Sequence, residues 1–546
     1  MSVVTATISH KTKKVMSATY EVMSLDIERE VNRIPRCSLK LLDGDLAKST
    51  FPISDTVFFE PGAELTISLN YGDDPPVVVF IGLVVRHGLS LSRRGSVLSV
   101  ELKDKALALT RPRKSALHKD YDEAIKTIAK AGSLKVTQLA TTAATKHPQL
   151  VQYDVSDWDF ILSRAEAQGL ILALTDGALT VAEVMAKGAT THTFEYGKDE
   201  LYSLDVEADG LYQPGAVESV GWDPDTQAIT AKTEAKPQKN PIGDLDAAKV
   251  ATALGIQDTV LRHLAPIDPK ELAAWADGHV ARARMSMVRG RVSIPGTAKP
   301  KLLDAIKLVG VGKRFTGTST ITGIRHRVTK AGWTTDLQFG FSPELLADNQ
   351  EVTAPSSAGL LPGIQGLQIG VVSGFEEDPL ASFRVQVLVP SIDPAKGLIW
   401  ARLASPDAGL GRGFFFRPEP GDEVIVGFIN GDPRQAVILG SLYSKTNTPP
   451  EDFKAIDADN FLKGIVTKTG VTIGVVDEPD PVAFIETPAK QNIIFDDASG
   501  IVAITDMNGN SIILDENGIT LTSAKDVTID GSGGSVTILG TKVEVK

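Results

Sequence analysis

The segment "WARLASPDAGLGRGFFFRPEPGDEVIVGFINGDPRQAVILGSLY", residues 400–443, decides the fold of the middle of the chain. Short apolar runs, some of them alternating with polar residues, are separated in this region by Gly, Pro, Asn and Asp, which form turns. The runs are 383–389, 398–403, 423–428 and 436–442. Strands of this length and spacing are typical of a small closed β-barrel, which we predict over residues 371–445.

The rest of the chain is long enough for several domains, because 546 residues exceed the size at which one hydrophobic core stops growing. The 48 glycines and 30 prolines indicate many turns and therefore short strands, so the predicted class is mainly β with inserted helices. Residues 349–370 are rich in Pro, Ser and Gly and are predicted to link an N-terminal region, 1–348, to the barrel.

Three helices are predicted among the strands of the N-terminal region. They cover residues 122–131, residues 156–168 with Ser156 as N-cap, and residues 268 to about 288. In the last, Pro269 follows the capping Asp268, and Glu271 is placed to complete a capping box. Its predicted core face consists of Leu272, Ala276, His279, Ala283 and Met287.

The C-terminal segment, 492–546, follows a predicted connector at 446–491 and repeats a short pattern. β runs begin at Ile519, Val527, Val536 and Val543, seven to nine positions apart, which is the short end of β-solenoid periods. Such strands supply too few inward side chains for a core within one chain, so partner chains are needed. The side chains predicted to face a common axis are Ile519, Leu521, Val527 and Ile529, with Thr520 and Thr522 facing water.

Residues 400–443 resemble the barrel of the oligonucleotide-and-oligosaccharide-binding (OB) type in the VgrG spike family and in the related phage tail-lysozyme spike. A second stretch, "YDVSDWDFILSRAEAQG" at 153–169, is similar to the helix-and-strand signature of that family's N-terminal hub. The resemblance implies an α+β hub of β-barrels, an OB-fold barrel and a trimeric β-helix needle at 492–546. The barrel residues that match the family motif are Trp400, Arg412, Gly413, Phe415, Pro420, Gly421, Asp422, Gly427 and Asp432.

The resemblance also implies a function: a homotrimeric spike and hub at the tip of the inner tube of a contractile, phage-tail-like injection system. It would pierce a target envelope, contact the membrane only on firing, and deliver separate effector cargo without a cofactor or enzymatic activity. Its implied partners are inner tube and baseplate proteins. A PAAR-like tip protein is a further implied partner, on Val543, Glu544, Val545 and Lys546.

Two alternatives stay open: a cell-wall-degrading, tail-lysozyme-type enzyme, and the hub of a contractile phage virion. In the lysozyme relative the hydrolase domain lies between barrel and needle. Here the predicted connector, 446–491, is too short to fold as a catalytic domain.

Charge argues against nucleic acid as a partner. Phe414, Phe415 and Phe416 lie beside Arg412 and Arg417 and could stack bases. Residues 371–443, however, contain nine acidic and six basic residues, and the whole chain carries a formal charge of −12. Binding to phosphate backbones depends on clustered cations, so we expect none.

The remaining single residues predict little chemistry. Cys37, the only cysteine, excludes an intramolecular disulfide and is expected to be a small buried residue. His279 is expected to pack in the core and His326 to be solvated or intersubunit, neither of them a metal ligand. Because the N-terminus shows no apolar signal segment, we expect assembly in the bacterial cytoplasm, with function in a membrane-anchored or released particle.

Overall fold

The computed structural model describes residues 3–546 except 13, 18, 46–47, 93–94, 141–149, 186–189, 350–351 and 455–458. The chain forms two compact units, Met1–Ala354 and Pro355–Lys546. The boundary between the units lies inside the predicted linker 349–370, of which residues 350–351 are outside the described residues.

The first unit is built mainly from strands, as the turn-rich sequence predicts. They are β1 Val4–His10, β2 Val22–Glu30, β3 Arg36–Leu42, β4 Glu64–Tyr71, β5 Val77–Ser92, β6 Gly95–Lys103, β7 Arg113–His118, β8 Lys135–Leu139, β9 Leu150–Ser156, β10 Leu170–Thr175, β11 Ala178–Glu183, β12 Thr191–Glu195, β13 Ser203–Ala208, β14 Val217–Val220, β15 Trp222–Asp223, β16 Ala228–Ile229, β17 Thr233–Glu234, β18 Thr259–Arg262, β19 Val288–Pro295, β20 Ala305–Val309, β21 Gly317–Thr329 and β22 Gly332–Phe339. The helices are α1 Tyr121–Ala131, α2 Asp157–Ala167, α3 Ala247–Leu254, α4 Pro269–Ser286, α5 Gly312–Phe315 and α6 Leu346–Asn349.

One twelve-stranded sheet dominates the described part of this unit. Its main path runs β1-β4-β5-β6-β3-β2-β21-β22-β19-β13, and β20 joins β12 to β21. Strand β2 pairs with β3 on one side and with β21 on the other, so the strands before α1 and those after α4 form two halves of one sheet. Each half has its own core, one around Phe59 and Phe80 and the other around Leu337 and Phe339.

The predicted helices are confirmed, and their N-caps explain where they begin. Ser156 Oγ accepts the backbone N–H of Asp159 at 3.1 Å, and Asp268 Oδ1 accepts that of Lys270 at 2.8 Å. Glu271 accepts a 2.7 Å bond from Arg164 of α2, so its carboxylate joins two helices. The sequence prediction missed α3, which Asp246 caps.

Two of the singled-out side chains are buried. Cys37 is fully buried, as expected, and burial raises the pKa of its thiol. The interpretation of His326 as solvated or intersubunit is wrong, since its side chain packs against Trp333 and is only 3% exposed. Alternation along a strand identifies the face of a residue but not which face is covered.

The second unit begins with the predicted barrel. Its strands are β23 Gln368–Gly374, β24 Val385–Leu388, β25 Leu398–Leu403, β26 Ala408–Gly409, β27 Arg412–Gly413, β28 Glu423–Phe428 and β29 Ala436–Ser441. Five of them close in the order β23-β24-β25-β29-β28, while β26 and β27 form a small separate hairpin. Alternate residues fill the interior, among them Val387, Val424, Val426 and Ile438.

An antiparallel meander of seven strands follows the barrel. The strands are β30 Leu462–Val466, β31 Thr472–Val476, β32 Val482–Glu486, β33 Asn492–Asp496, β34 Ile501–Thr505, β35 Ser511–Asp515 and β36 Gly518–Thr522. The sheet therefore starts inside the segment expected to be a connector, whose residues 455–458 are outside the described residues. Short 3-10 helices complete the chain at Val57–Phe59, Lys105–Thr110, Ser356–Gly359, Ile429–Gly431 and Glu451–Phe453.

The last residues, 523–546, form no strand in this chain. The runs that the sequence predicts at Val527, Val536 and Val543 are therefore not strands here. A strand needs a neighbour for its backbone hydrogen bonds, and the final run that pairs within the chain ends at Thr522. In the described part of the chain, no helix combines the length and apolar character of a membrane-crossing segment.

Candidate functional site

One face of the seven-stranded sheet carries a continuous line of aliphatic side chains. Directly opposed residues in successive strands form a chain from β30 to β36, as in Ile473 opposite Ile485 and Ile493 opposite Ile504. We call this line the isoleucine row: Ile465, Ile473, Ile485, Ile493, Ile504, Ile512 and Leu521. Six of the seven members are exposed, from 37% for Ile512 to 56% for Leu521, and Ile493 is half-buried.

A second line lies beside it on the same face, because its members stand two positions away along each strand. The second row consists of Lys463, Val475, Ala483, Phe495, Val502, Leu514 and Ile519. Phe495 is 52% exposed and Ile519 is 75% exposed. The two rows together form an apolar surface that its own chain leaves largely open to water.

The opposite face of the sheet has another character. At its start, aromatic rings cover glycines: a Cβ on Gly474 would lie 2.3 Å from the ring of Phe484, and one on Gly464 would lie 2.7 Å from Phe453. Further along, this face carries Ile494, the buried Ala503 and Ile513, and it ends with Thr520 and Thr522. It is therefore partly covered by its own residues and partly polar, and the two rows mark the face that lacks cover.

Tight turns hold the strands in register. Asp506 accepts the backbone N–H of Asn508 at 2.9 Å and that of Asn510 at 2.8 Å. These bonds, led by those from Asn510, lower the pKa of Asp506 to about 2, so the carboxylate is charged at neutral pH. Register decides whether the isoleucines line up, because a slip of one residue would move every side chain to the other face.

The predicted axis residues divide into two groups. Ile519 and Leu521 stand on β36, at the ends of the second row and the isoleucine row, and Thr520 points to the opposite face. Val527 and Ile529 lie beyond the last strand and are 52% and 69% exposed.

The predicted tip residues also lie in this final segment. Val543 and Val545 are 58% and 94% exposed, while Glu544 pairs with Lys542 and, at 3.6 Å, with Lys546. The sequence prediction missed the strands before Asn492, although isoleucine and valine recur there about every ten residues.

The barrel residues of the family motif mostly shape turns. Gly413 has φ of +135° and Gly421 φ of +94°, conformations that favour glycine, and Pro420 precedes the second of them. Asp422 accepts the Glu419 N–H at 2.8 Å. The Asp432 carboxylate accepts bonds from the backbone N–H and the guanidinium of Arg434, and the guanidinium is the main cause that lowers the pKa of Asp432 to about 2.

The other motif residues act in pairs or pack. Trp400 on β25 lies under the guanidinium of Arg384, 5.7 Å from its ring centroid. Arg412 pairs with Asp407 at 2.6 Å, Gly427 lies in β28, and Phe415 is 72% exposed. None of these groups is arranged as an acid, base and nucleophile, so the motif is a signature of the fold.

Cavities in the first unit do not suggest a reaction. The largest of those described, about 860 Å³, is lined by groups that pair with one another, such as Lys232 with Glu218 at 2.6 Å. The buried Arg284 donates to Gln213 Oε1 at 3.0 Å and to the carbonyl of Pro214 at 3.1 Å. Among the described residues there is no cluster of His, Cys, Asp and Glu that could hold a metal ion.

Known families match the chain along most of its length. Residues 1–330, more than half of the chain, match a family model described as the Alg8 N-terminal domain. Residues 368–443 match the type VI secretion system/phage-baseplate injector OB domain, and residues 482–546 match the phage baseplate V C-terminal trimerisation domain. The chain belongs to the Alg8 N-terminal domain family, and it is a VgrG-like spike protein.

This VgrG-like spike is similar to curated relatives over parts of their length. It is 26% identical over 265 residues to the type VI secretion system spike protein VgrG1c of Pseudomonas aeruginosa, covering 43% of this chain and 36% of that protein. It is 38% identical over 96 residues to the actin cross-linking toxin VgrG1 of Vibrio cholerae, covering 16% of this chain and 9% of that protein. The chain thus spans well under half the length of these relatives.

A solved E. coli component of the type VI secretion system, described as similar to the T4 phage tail proteins gp27 and gp5, is also similar to this spike. The two are 12% identical with a TM-score of 0.40, and the match covers 80% of this chain and 99% of that one.

Proposed function

We propose that the VgrG-like spike works as a homotrimer at the tip of the inner tube of a contractile injection system, where it pierces a target envelope and delivers separate cargo. The observation that carries the proposal is the uncovered apolar face of the seven-stranded sheet, made of the isoleucine row and the second row. Most of this sheet lies within the residues that match a trimerisation domain.

Three copies of the chain could bury this apolar face against one another. Around a threefold axis, each sheet would turn its two rows inward and bury them against those of the other two copies. Burial of apolar surface stabilises by roughly 25 cal/mol per Å², so seven strands of half-exposed aliphatic side chains supply a large driving force. Residues 523–546, which do not pair within the chain, would gain strand partners from the other copies.

The proposed role is mechanical and not enzymatic. A closed shaft of three sheets has no free edges along its length and transmits axial force without fraying. Against the lysozyme alternative, the interval between barrel and predicted needle holds strands β30, β31 and β32 of the sheet itself. A catalytic domain would have to lie elsewhere than in this interval.

The proposed partners follow from the same arrangement. The N-terminal hub would contact the inner tube and baseplate proteins, and the exposed end, Val543 to Lys546, would hold a separate PAAR-like tip protein. Effector cargo would be carried as separate proteins, and a target membrane would be touched only on firing. Assembly would take place in the bacterial cytoplasm, and the finished particle would be anchored in the membrane or released.

Sedimentation of the purified full-length protein tests the proposal. At micromolar concentration we expect one species with three times the chain mass of 58.1 kDa. A folded species with the mass of a single chain would overturn the proposed function.

A further inference from the structure

A second cavity in the first unit is lined largely by aromatic side chains and carboxylates. Its volume is about 290 Å³, close to the lower limit of small-ligand sites. Helix α4 supplies Trp275, His279 and Arg282, which stand four and three positions apart and therefore share one face of the helix. Tyr212 comes from the loop between β13 and β14, and Asp348 comes from α6. We call this space the α4 cavity.

Three aromatic side chains line the α4 cavity. Tyr212 is 47% exposed, whereas Trp275 and His279 are half-buried. The faces of tryptophan and tyrosine rings carry partial negative charge and attract cations. Burial, followed by the charge of Arg282, lowers the pKa of His279, so its imidazole is neutral at neutral pH and does not repel a cation.

The guanidinium in the wall of the cavity is already engaged within the protein. Arg282 donates to Glu166 Oε1 at 2.8 Å and to two backbone carbonyls at 3.2 and 3.3 Å. The Glu166 carboxylate also accepts the Asn32 amide at 3.1 Å and the Leu346 N–H at 2.7 Å. This buried pair therefore offers little to an anionic ligand, and its carboxylate has little capacity left for a donor from a ligand.

Carboxylates outnumber cations in the described lining of the cavity. Glu166, Glu344 and Asp348 stand against the single guanidinium of Arg282. Asp348 is exposed and accepts the Leu345 N–H at 2.8 Å. Its charge acts on both His279 and Arg282, so it faces the cavity from the rim. The excess of negative charge favours a cationic ligand.

We propose that the α4 cavity binds a quaternary ammonium group, with Trp275 and Tyr212 against the cation and Asp348 at the mouth. A quaternary ammonium has no N–H donor and needs no free acceptor in the cavity. A guanidinium or a primary ammonium would bring donors that the engaged Glu166 cannot satisfy, and a buried donor without a partner is costly. Such binding would be an activity of the hub additional to its proposed mechanical role, and it does not depend on the trimer.

Calorimetric titration of the purified full-length protein tests the proposal. The probes are choline and its neutral carbon analogue, in which a tert-butyl group replaces the trimethylammonium group without changing the shape. We expect saturable binding of choline at millimolar concentration and at least about tenfold weaker binding of the analogue, which lacks the charge. Equal binding of the two compounds, or no saturable binding of choline, would overturn the proposal.

Variants of the lining locate the site. Tyr212→Leu and Trp275→Leu each remove a ring face but keep apolar bulk, and we expect each to weaken choline binding about fivefold. The matched control is Tyr202→Leu, a 54% exposed tyrosine outside the cavity, which should leave the affinity unchanged. Asp348→Asn keeps an acceptor for the Leu345 N–H, so weaker binding in this variant reports the lost charge. Unchanged affinity in both ring variants would overturn the site.

Phosphatidylcholine vesicles distinguish the two sources of a quaternary ammonium. Choline binding without cosedimentation of the protein with vesicles assigns a free small molecule. Cosedimentation that both free choline and Tyr212→Leu abolish assigns a lipid headgroup. A protein that sediments as a trimer but does not bind choline would overturn this inference and leave the proposed function standing.

Discussion

Among single residues, His326 shows how tertiary packing changes the chemistry of a side chain. It lies on β21, where its Nδ1 is 3.1 Å from Thr335 Oγ1 and its ring meets Trp333 edge-on at 5.8 Å. Burial, with a smaller contribution from the charge of Arg29, lowers its pKa to about 3. The folded protein therefore holds this imidazole neutral under all but strongly acidic conditions.

The first prediction is a pH dependence that comes from His326. In the unfolded chain the imidazole takes up a proton near pH 6.5, while in the folded chain it does so only near pH 3. Stability is therefore lost as pH falls below about 6.5. Between pH 7.5 and 5.0, we expect the free energy of unfolding to drop about 2 kcal/mol more in the natural protein than in His326→Gln. Urea unfolding at several pH values measures it, and equal slopes would contradict the lowered pKa.

The second prediction concerns a close approach of two helices. Gly278 of α4 faces Gly169, just past α2, and a Cβ on Gly278 would lie 2.6 Å from the Gly169 Cα. We expect Gly278→Ala to destabilise the protein by about 1 to 2 kcal/mol in urea unfolding, because the backbone must shift although alanine favours the helix. The control Gly88→Ala has its nearest neighbour at 4.0 Å and should change stability little. Equal effects would show that the contact is not tight.

Among the elements, the seven-stranded sheet depends most on the register in which its strands pair. Successive side chains of each strand point to opposite faces, and hairpin turns such as that at Asp506 set the register. Only the alignment of all the strands turns separate isoleucines into a continuous row. A charge in that row would be buried among like charges at the axis of a trimer, whereas a charge on the other face would meet water.

The third prediction compares neighbouring residues of β36. Leu521→Asp places three carboxylates in the proposed interior, so we expect the trimer to be lost or to lose its resistance to heat on a gel. Thr520→Asp puts the same charge on the same strand but on the opposite face, and the trimer should persist. If both variants keep a heat-resistant trimer, the assignment of inward and outward faces is wrong.

For the molecule as a whole, the two units differ in whether they carry the surface proposed for assembly. Met1–Ala354 contains its own cores, whereas Pro355–Lys546 contains the barrel and the sheet with the uncovered rows. The proposed assembly surface, which consists of the two rows, lies in the second unit. Trimerisation should therefore not depend on the first.

The fourth prediction is that residues 355–546 form a trimer when expressed alone. Residues 355–461, which keep the barrel and lack the sheet, should be monomeric at the same micromolar concentration, because the rows supply most of the apolar area. Sedimentation equilibrium distinguishes the outcomes. A monomeric 355–546 fragment would show that the first unit is required for assembly.

The sequence by itself determined the strands, the helix caps and the barrel, because alternation, turn residues and capping side chains act over a few neighbouring positions. Ser156 and Asp268 cap the helices that they were predicted to cap, and the predicted runs became β25, β28 and β29 of the barrel. These are local effects, so one chain segment contains all the information they need.

Tertiary structure decided what covers each face. It buried His326, extended the sheet back to Leu462, and aligned Ile519 and Leu521 with residues far away in sequence. A period of two assigns a residue to a face, but burial depends on which distant strands pair and in which register. Burial of the isoleucine row would depend on other copies of the chain, because no strand of its own chain covers it.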